Sequence, residues 1–540
     1  MKHPIIFLLT FLAFAANVCL GAPARRDIIH NITLPDGRTV QAYKMGDERS
    51  HWFETADGTI VAGVKLTDEQ LQQSKWARTY SRRSLAPRAS RSESPWAGVG
   101  LYDQLFPCTG ELHTLVIVVE FDDVKLKVNG PQTFYQRMLN EEDFSDYGGT
   151  GSARDYFIDG SMGQFKPTFD VFGPVTLPHP VAYYGGNDRA GNDTNAVQMI
   201  IDACELLDDE IDFSQYDTDG DQRVDNVFVI FAGQGENSYG SEDTVWPHQW
   251  DFQDAGAQLT LDGVSFGHYA CTNEWEESRP AGIGTFVHEF SHVMGLPDLY
   301  HTSNAAFTKS PGNWSPLDNG LYNNNTCTPP SYSSFERNAL GWIDLTQLTA
   351  GTDVSLRPLF TDNVACVAPT DSYREFFLFE NRQQIGWDEY LPGHGLIIWH
   401  IDYDPTKWYM NSVNNTSRHQ NVDIEEANNS PYVANPRNEA GYPFPGTSGA
   451  TSFTDDTTPS MKPWSGKSLG LPITDIAESA DGIITFSVAK DMGGIYDIAD
   501  DTFDGPTSWF TIDGTKIEEP SSAGIYIRRQ GSKVSKVMIR

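Results

Sequence analysis

Short apolar runs punctuated by turn residues set the pattern of this chain. From Asn31 to about Thr67 brief alternating pieces surround Pro35-Asp36-Gly37 and Thr55-Ala56-Asp57-Gly58, the turn chemistry of hairpins. A polar stretch rich in Gln, Arg and Ser follows from Asp68 to Ser94. The run Leu112 to Phe121, dense in β-branched residues, predicts a buried strand, and Val224 to Phe231 predicts a second. Between them Thr133 to Asn140 and Ala196 to Leu207 read as amphipathic helices. Strands alternating with helices predict an open α/β layer arrangement, with a further helix near Gly284 to Met294. Beyond about Asp344 the pattern turns all-β. Runs such as Glu375 to Glu380 and Leu396 to Ile401 lie between Pro, Gly, Asn and Asp clusters, which predicts a sandwich. Hairpin-like strands around Asp513-Gly514 and Gly524 to Ile527 end the chain, and no periodic repeat is visible.

At 540 residues, several folding units are expected. The charge of −35 argues against nucleic-acid binding, which needs clustered Lys and Arg, and suits solubility outside the cell. At the N-terminus Lys2 precedes an apolar run from Ile5 to Ala16 and then the small residues Gly21, Ala22 and Ala24. That order is a secretory signal peptide, too short to span a bilayer comfortably, with cleavage open to any of those three small residues. No later segment is apolar enough to cross a membrane. Cys19 leaves with this peptide, so Cys108, Cys204, Cys271, Cys327 and Cys366 remain, an odd number with no close pair. Buried thiols with one or two disulfides are the reading, and a cysteine-built zinc site is not supported. Arg78, Arg82, Arg83, Arg88 and Arg91 concentrate positive charge between the N-terminal hairpins and the rest. An exposed linker is one reading; a processing site that releases a pro-segment is the favoured one.

The sharpest chemistry lies in His288-Glu289-Phe290-Ser291-His292-Val293-Met294-Gly295-Leu296-Pro297-Asp298. Two histidines four apart on a helix point both imidazoles the same way, with Thr285 placed to cap the helix start. Glu289 lies beside the metal, where a carboxylate can take a proton from zinc-bound water. Gly295 lets the chain leave the helix in a left-handed conformation, and Asp298 can swing back as third ligand. A fourth position then stays open, as catalytic zinc requires. With only 13 histidines the bare His-Glu-x-x-His arises by chance in roughly a few per cent of such chains, and the added Gly and Asp lower that by about two orders of magnitude.

The motif is similar to that of metzincin-like zinc peptidases with aspartate as third ligand. Further stretches resemble one branch, the immune inhibitor A family: Ala153-Arg154-Asp155-Tyr156-Phe157 with Gly163-Gln164-Phe165, Asp217-Thr218-Asp219-Gly220-Asp221, Phe231-Ala232-Gly233-Gln234-Gly235-Glu236, Trp246-Pro247-His248-Gln249, and Ser331-Tyr332-Ser333-Ser334-Phe335-Glu336-Arg337. The resemblance runs from about residue 30 to about 490. It implies an α+β multidomain protein: signal peptide 1–21, propeptide 22–105, metzincin-like zinc peptidase catalytic domain 106–345, β-sandwich domain 346–492 and tail 493–540. Position by position, it makes His288, His292 and Asp298 the zinc ligands and Glu289 the catalytic base. Metzincins place a Met in a turn beneath the metal; Leu317 stands there in Asn313-Trp314-Ser315-Pro316-Leu317-Asp318, a volume-conserving change. Tyr322 is a candidate donor to the tetrahedral oxyanion, with a core or surface tyrosine as the favoured reading.

Asp217, Asp219, Asp221 and Asp225 stand at positions one, three, five and nine of an EF-hand-like loop, which suggests a structural calcium ion. The match is partial: the sixth position is not glycine, and Phe228 replaces the closing Glu. From Trp509 onward the tail resembles the sorting segments of type IX secretion cargo, with an accessory hairpin unit as the competing reading. The expected activity is a secreted, zinc-dependent endopeptidase, made as a zymogen, with zinc-bound water as nucleophile and Glu289 as general base and acid. Its partners would be protein or peptide substrates.

Overall fold

The computed structural model describes residues 19–63, 65–66, 70, 96, 98–102, 106–189, 191–303, 309–416, 418–429, 438–489, 495–496, 507–530 and 533–539. The signal-peptide run and the five arginines from Arg78 to Arg91 lie outside the described residues.

Four parallel strands form the centre of the largest sheet. Phe165–Thr176 pairs Gly110–Glu120, which pairs Arg223–Gln234, which in turn pairs Val264–Glu276. Alternation explains why the apolar run at 112–121 is buried on both sides. Val116 and Val118 face one core, while Leu115, Ile117 and Val119 face the other. The second core receives Met199, Ile200 and Ala203 from the helix Ala196–Leu206. The first receives the metal-motif helix, Gly284–Val293, through Phe286, Val287 and Phe290. Phe286 meets Phe169 at 5.0 Å and Phe228 at 4.2 Å between ring centroids, so the sheet itself fixes the height of this helix.

One short strand runs against this direction. His248–Asp251 pairs antiparallel with Val264–Glu276 and would be the sheet edge, but Leu20–Gly21 adds to it antiparallel. The chain then enters a four-stranded sheet of His30–Thr33, Thr39–Asp47, Ser50–Glu54 and Ile60–Gly63. Although the expected pro-segment runs to residue 105, Trp96, Leu101, Tyr102 and Phe106 pack in the same core as the metal helix. Asn338 donates to the Trp96 carbonyl at 2.7 Å and Tyr102 to the His292 carbonyl at 2.7 Å.

Past residue 344 a five-stranded sheet, Leu345–Gln347, Ala365–Pro369, Glu375–Arg382, Gly395–Asp402 and Val422–Ile424, faces a three-stranded one, Thr352–Leu356, Ile484–Val488 and Ile473–Glu478. Phe377, Phe379, Leu396 and Ile398 fill the space between them with Leu356, Ile473, Ile484 and Phe486. The opposite face of the larger sheet, Phe376, Leu378, Ile397, Trp399 and Ile401, belongs to the core that holds the metal helix. The tail residues form a separate five-stranded sheet whose hairpin turns at Asp513-Gly514, with Gly514 at φ 89°. All six cysteines are buried free thiols.

Candidate metal centre

The first turn of the metal helix departs from the sequence reading. Ile283 is its N-cap with no side-chain cap bond, and the Thr285 hydroxyl is buried without a hydrogen-bond partner. The reason is crowding: a Cβ added at Gly284 would stand 1.9 Å from the Leu321 carbonyl oxygen, and Gly284 N–H donates to the Thr326 carbonyl instead. Neighbouring loops, rather than a cap, satisfy this end. At the other end Gly295 has φ 95°, the left-handed turn expected there, and Leu296 N–H donates to the Ser291 carbonyl at 3.1 Å.

His288, His292 and Asp298 are brought together and are completely enclosed. His288 Nδ1–H donates to the Pro316 carbonyl and His292 Nδ1–H to the Leu296 carbonyl, each at 2.8 Å. A ring nitrogen facing a carbonyl must carry the proton, so both Nε2 atoms present bare lone pairs. Those atoms lie 3.1 Å apart, and Asp298 Oδ1 lies 3.3 and 3.2 Å from them. Four-coordinate zinc with bonds of about 2.0–2.1 Å separates its ligand atoms by about 3.3 Å. Two nitrogens and an oxygen at the corners of such a triangle therefore fit a tetrahedral zinc with its fourth position free. Asp298 Oδ1 has no hydrogen-bond donor of its own, consistent with an oxygen reserved for a cation.

Two loops outside the motif hold these ligands. The turn Ser315 to Asp318 supplies the Pro316 carbonyl to His288, while Leu317, fully buried, accepts from Leu299 N–H at 2.9 Å. Leu317 packs in the same core as Phe286, Val287 and Phe290 of the metal helix, the packing role expected of it. The second comes from far along the chain. Asn411, with φ 46°, accepts from Asp298 N–H at 2.9 Å through its Oδ1 and donates through Nδ2 to Asp298 Oδ2 at 2.5 Å. Asn414 Nδ2–H donates to the Leu299 carbonyl at 2.7 Å, and Asn415 Oδ1 accepts from Thr302 N–H at 2.9 Å. This clamp was not visible in the sequence.

Glu289 is buried beside the ligands. Burial first, then the Asp298 and Glu48 carboxylates, push its pKa well above the ordinary value. Its Oε1 accepts from Ala22 N–H at 2.9 Å, and its Oε2 has no partner. The stretch Cys19 to Arg25 runs through the cleft at this point. Tyr300 donates to the Gly21 carbonyl at 2.8 Å, Trp246 Nε1–H to the Ala22 carbonyl at 2.8 Å and Tyr322 to the Pro23 carbonyl at 2.5 Å. Tyr322 is therefore a cleft residue that binds a peptide carbonyl, and Tyr300 is a second one that the sequence reading missed. Cys19 to Gly21, read as the end of the signal peptide, are buried along with the residues that follow.

The acidic loop is brought together only in part. Carboxylate oxygens of Asp217, Asp219 and Asp221 lie within 4.8 Å of one another. Asp225 instead accepts from Thr218, and burial raises its pKa to about 6.

Residues 113–343 match the family model of the immune inhibitor A peptidase M6 catalytic domain. Among curated proteins, the pre-pro-metalloprotease PrtV of Vibrio cholerae is 26% identical over 253 residues, which is 40% of this chain and 27% of PrtV. Immune inhibitor A of Bacillus thuringiensis is 25% identical over 261 residues, 41% of this chain and 38% of that protein. The chain thus spans well under two thirds of either relative. The matches support an immune inhibitor A-like metallopeptidase family and a metalloendopeptidase.

Proposed function

We propose that this protein is a secreted zinc endopeptidase made in a latent form, with His288, His292 and Asp298 holding the metal and Glu289 as general base and acid. The observation that carries the reading is the triangle of bare donor atoms with 3.1–3.3 Å sides next to a buried, unpaired Glu289 oxygen. Zinc, when bound there, supplies the Lewis acid that activates water and polarises the scissile carbonyl. Glu289 takes the proton of the attacking water and returns it to the leaving amine, a double task for which its buried place beside the ligands and its unpaired Oε2 suit it. Tyr322 and Tyr300 orient backbone carbonyls of the bound chain, and His248–Asp251 offers its edge to a substrate strand.

Latency is supported by the segment Ala22 to Arg25, which stays with the chain when the signal peptide is cut after Gly21 and lies in the cleft against Glu289, Trp246 and Tyr322. The arginines between Arg78 and Arg91 are the proposed processing site, ahead of the residues from Trp96 that pack in the core. Export through the signal peptide, and sorting of the tail by type IX secretion machinery, belong to the same reading. No helix among the described residues is long and apolar enough to cross a membrane. The facing sheets past residue 344 serve as a β-sandwich that completes the catalytic unit. For Asp217, Asp219 and Asp221 we propose a structural calcium ion, which would raise the melting temperature of the native chain but not of Asp219→Ala.

The test is casein hydrolysis by the full chain after limited proteolysis in the arginine-rich stretch, with and without a zinc chelator, beside Glu289→Ala. Chelator-sensitive cleavage that Glu289→Ala loses while retaining one bound zinc is the expected result. Undiminished cleavage by Glu289→Ala would sink the mechanism. Full zinc occupancy with no cleavage of any protein or peptide would favour a binding protein built on a peptidase scaffold.

A further inference from the structure

The segment in the cleft lies in register with the machinery that would cut it. Ala22 N–H is the group on Glu289, the position a leaving amine must take, so the Gly21–Ala22 bond marks the place of a cleaved bond. Residues ahead of it pair with the edge strand, Leu20 opposite Gln249 and Gly21 opposite His248. The residues after it are held through their backbone by the catalytic unit: Ala22 by Trp246, Pro23 by Tyr322, and Arg25 N–H by the Asn237 carbonyl at 2.8 Å. Any extended peptide held by these same groups must present its fourth residue after the cleaved bond where Arg25 stands.

That place is built to receive a cation. Arg25 Nη1 is 3.1 Å from Glu276 Oε2, and Nη2 donates to Asn325 Oδ1 at 2.9 Å. The guanidinium also lies over the rings of Tyr239 and Tyr322, at 5.6 and 5.5 Å from their centroids. Glu276 is itself buried. Its Oε1 is fixed by Ser238 Oγ–H at 2.9 Å and Asn273 Nδ2–H at 3.1 Å, so Oε2 is aimed into the cleft by residues that stay when Arg25 departs. The remaining partner of Arg25, Asp27, travels with the segment and contributes nothing to the cleft left behind. Once the segment leaves, the Glu276 carboxylate faces that space without its cation.

We propose that Glu276, flanked by Tyr239, Tyr322 and Asn325, is a specificity subsite that selects substrates with arginine, and less strongly lysine, as the fourth residue on the leaving-amine side of the cleaved bond. The inference rests on the peptidase reading above and adds its substrate class. Arginine is favoured over lysine because its planar fork reaches Glu276 and Asn325 together while stacking on the tyrosines.

The experiment uses the activated full chain and quenched-fluorescence peptides based on Leu-Gly-Ala-Pro-Ala-X, with X as Arg, Lys, Ala or Glu and the cleaved bond located by mass spectrometry. A charge-assisted contact in an enclosed site corresponds to roughly 10- to 100-fold in kcat/KM. The expected order is Arg, Lys, Ala, Glu, with Arg over Ala by at least about tenfold. In the isosteric Glu276→Gln the Arg-to-Ala ratio should collapse toward one. An Arg-to-Ala ratio near one in the unaltered enzyme overturns the subsite, as does a tenfold preference that survives Glu276→Gln. In both cases casein cleavage would leave the peptidase reading standing. If neither casein nor any peptide is cut by zinc-loaded protein, the peptidase reading fails and the subsite falls with it.

Discussion

Thr285 and Leu317 mark where residue-level reasoning succeeds and where it does not. A threonine at the start of a helix is a good capping residue in isolation, yet its hydroxyl here is buried and unbonded because the helix start is wedged against Leu321 and Thr326. Removing an unsatisfied buried polar group while keeping its shape should be neutral or stabilising. Thr285→Val is therefore expected to leave stability unchanged or raise it by about 1 kcal/mol in urea unfolding, and a loss of more than about 1 kcal/mol would show that the hydroxyl has a partner. At Leu317 the structure keeps what the sequence implied. Its role is packing, so Leu317→Met should cost less than about 1.5 kcal/mol and spare zinc binding. Leu317→Ala should cost about 2–5 kcal/mol by the same unfolding measurement. The histidine pair, Glu289 and Gly295 were legible because four-residue spacing on one helix is a local property. Asn411 was not, because its tie to Asp298 spans 113 residues and leaves no periodic trace.

Among the elements, apolar runs announced the central strands at 110–120 and 223–234 and the helices at 131–140, 196–206 and 284–293 to within a few residues. The edge strand His248–Asp251 was hidden, being four residues long with His, Gln and Asp among them. Its identity as a strand comes from its neighbours and not from its composition. The loop carrying Asn411 matters at this scale too. By holding both the backbone N–H and the Oδ2 of Asp298, it fixes the carboxylate that must meet the metal. Second-layer contacts of this kind are worth about 10- to 100-fold in metal affinity. Asn411→Ala should weaken zinc binding by about that factor in a competition titration, with Asn411→Asp failing to restore it because a carboxylate would face Asp298. Unchanged zinc affinity in Asn411→Ala would show that packing alone orients the ligand.

Across the whole molecule, charge is sequestered as well as displayed. His400 is buried between Glu375 at 3.0 Å and Glu425 at 3.2 Å, with its ring stacked on Phe377 and Trp464. Burial alone would lower its pKa, but the Glu375 and Glu425 carboxylates overcome this and raise it from 6.5 to about 9. The charged ring therefore stabilises the fold fully below about pH 6.5, and that contribution is lost as pH rises through about 9. Unfolding free energy measured between pH 6 and pH 9.5 should fall by up to about 3 kcal/mol more in the unaltered chain than in His400→Phe. Equal slopes would mean that the ring is neutral throughout. Nothing local announces this group: the two carboxylates are each 25 residues from it, Glu375 on the neighbouring strand and Glu425 just past Val422–Ile424.

The large sheet past residue 344 is apolar on both sides, one against its smaller partner sheet and one against the core of the metal helix. A module with a wet face can be lost, duplicated or exchanged during descent without harm to its neighbour. This one has none to spare. Cutting after Ile343, where the family match ends, would separate Phe376, Leu378, Ile397, Trp399 and Ile401 from the rest of the core they share with the metal helix. The two units are therefore bound to a common inheritance: a lineage that replaced the sheet would have to rebuild the core it shares with the metal helix, and Asn411 with it.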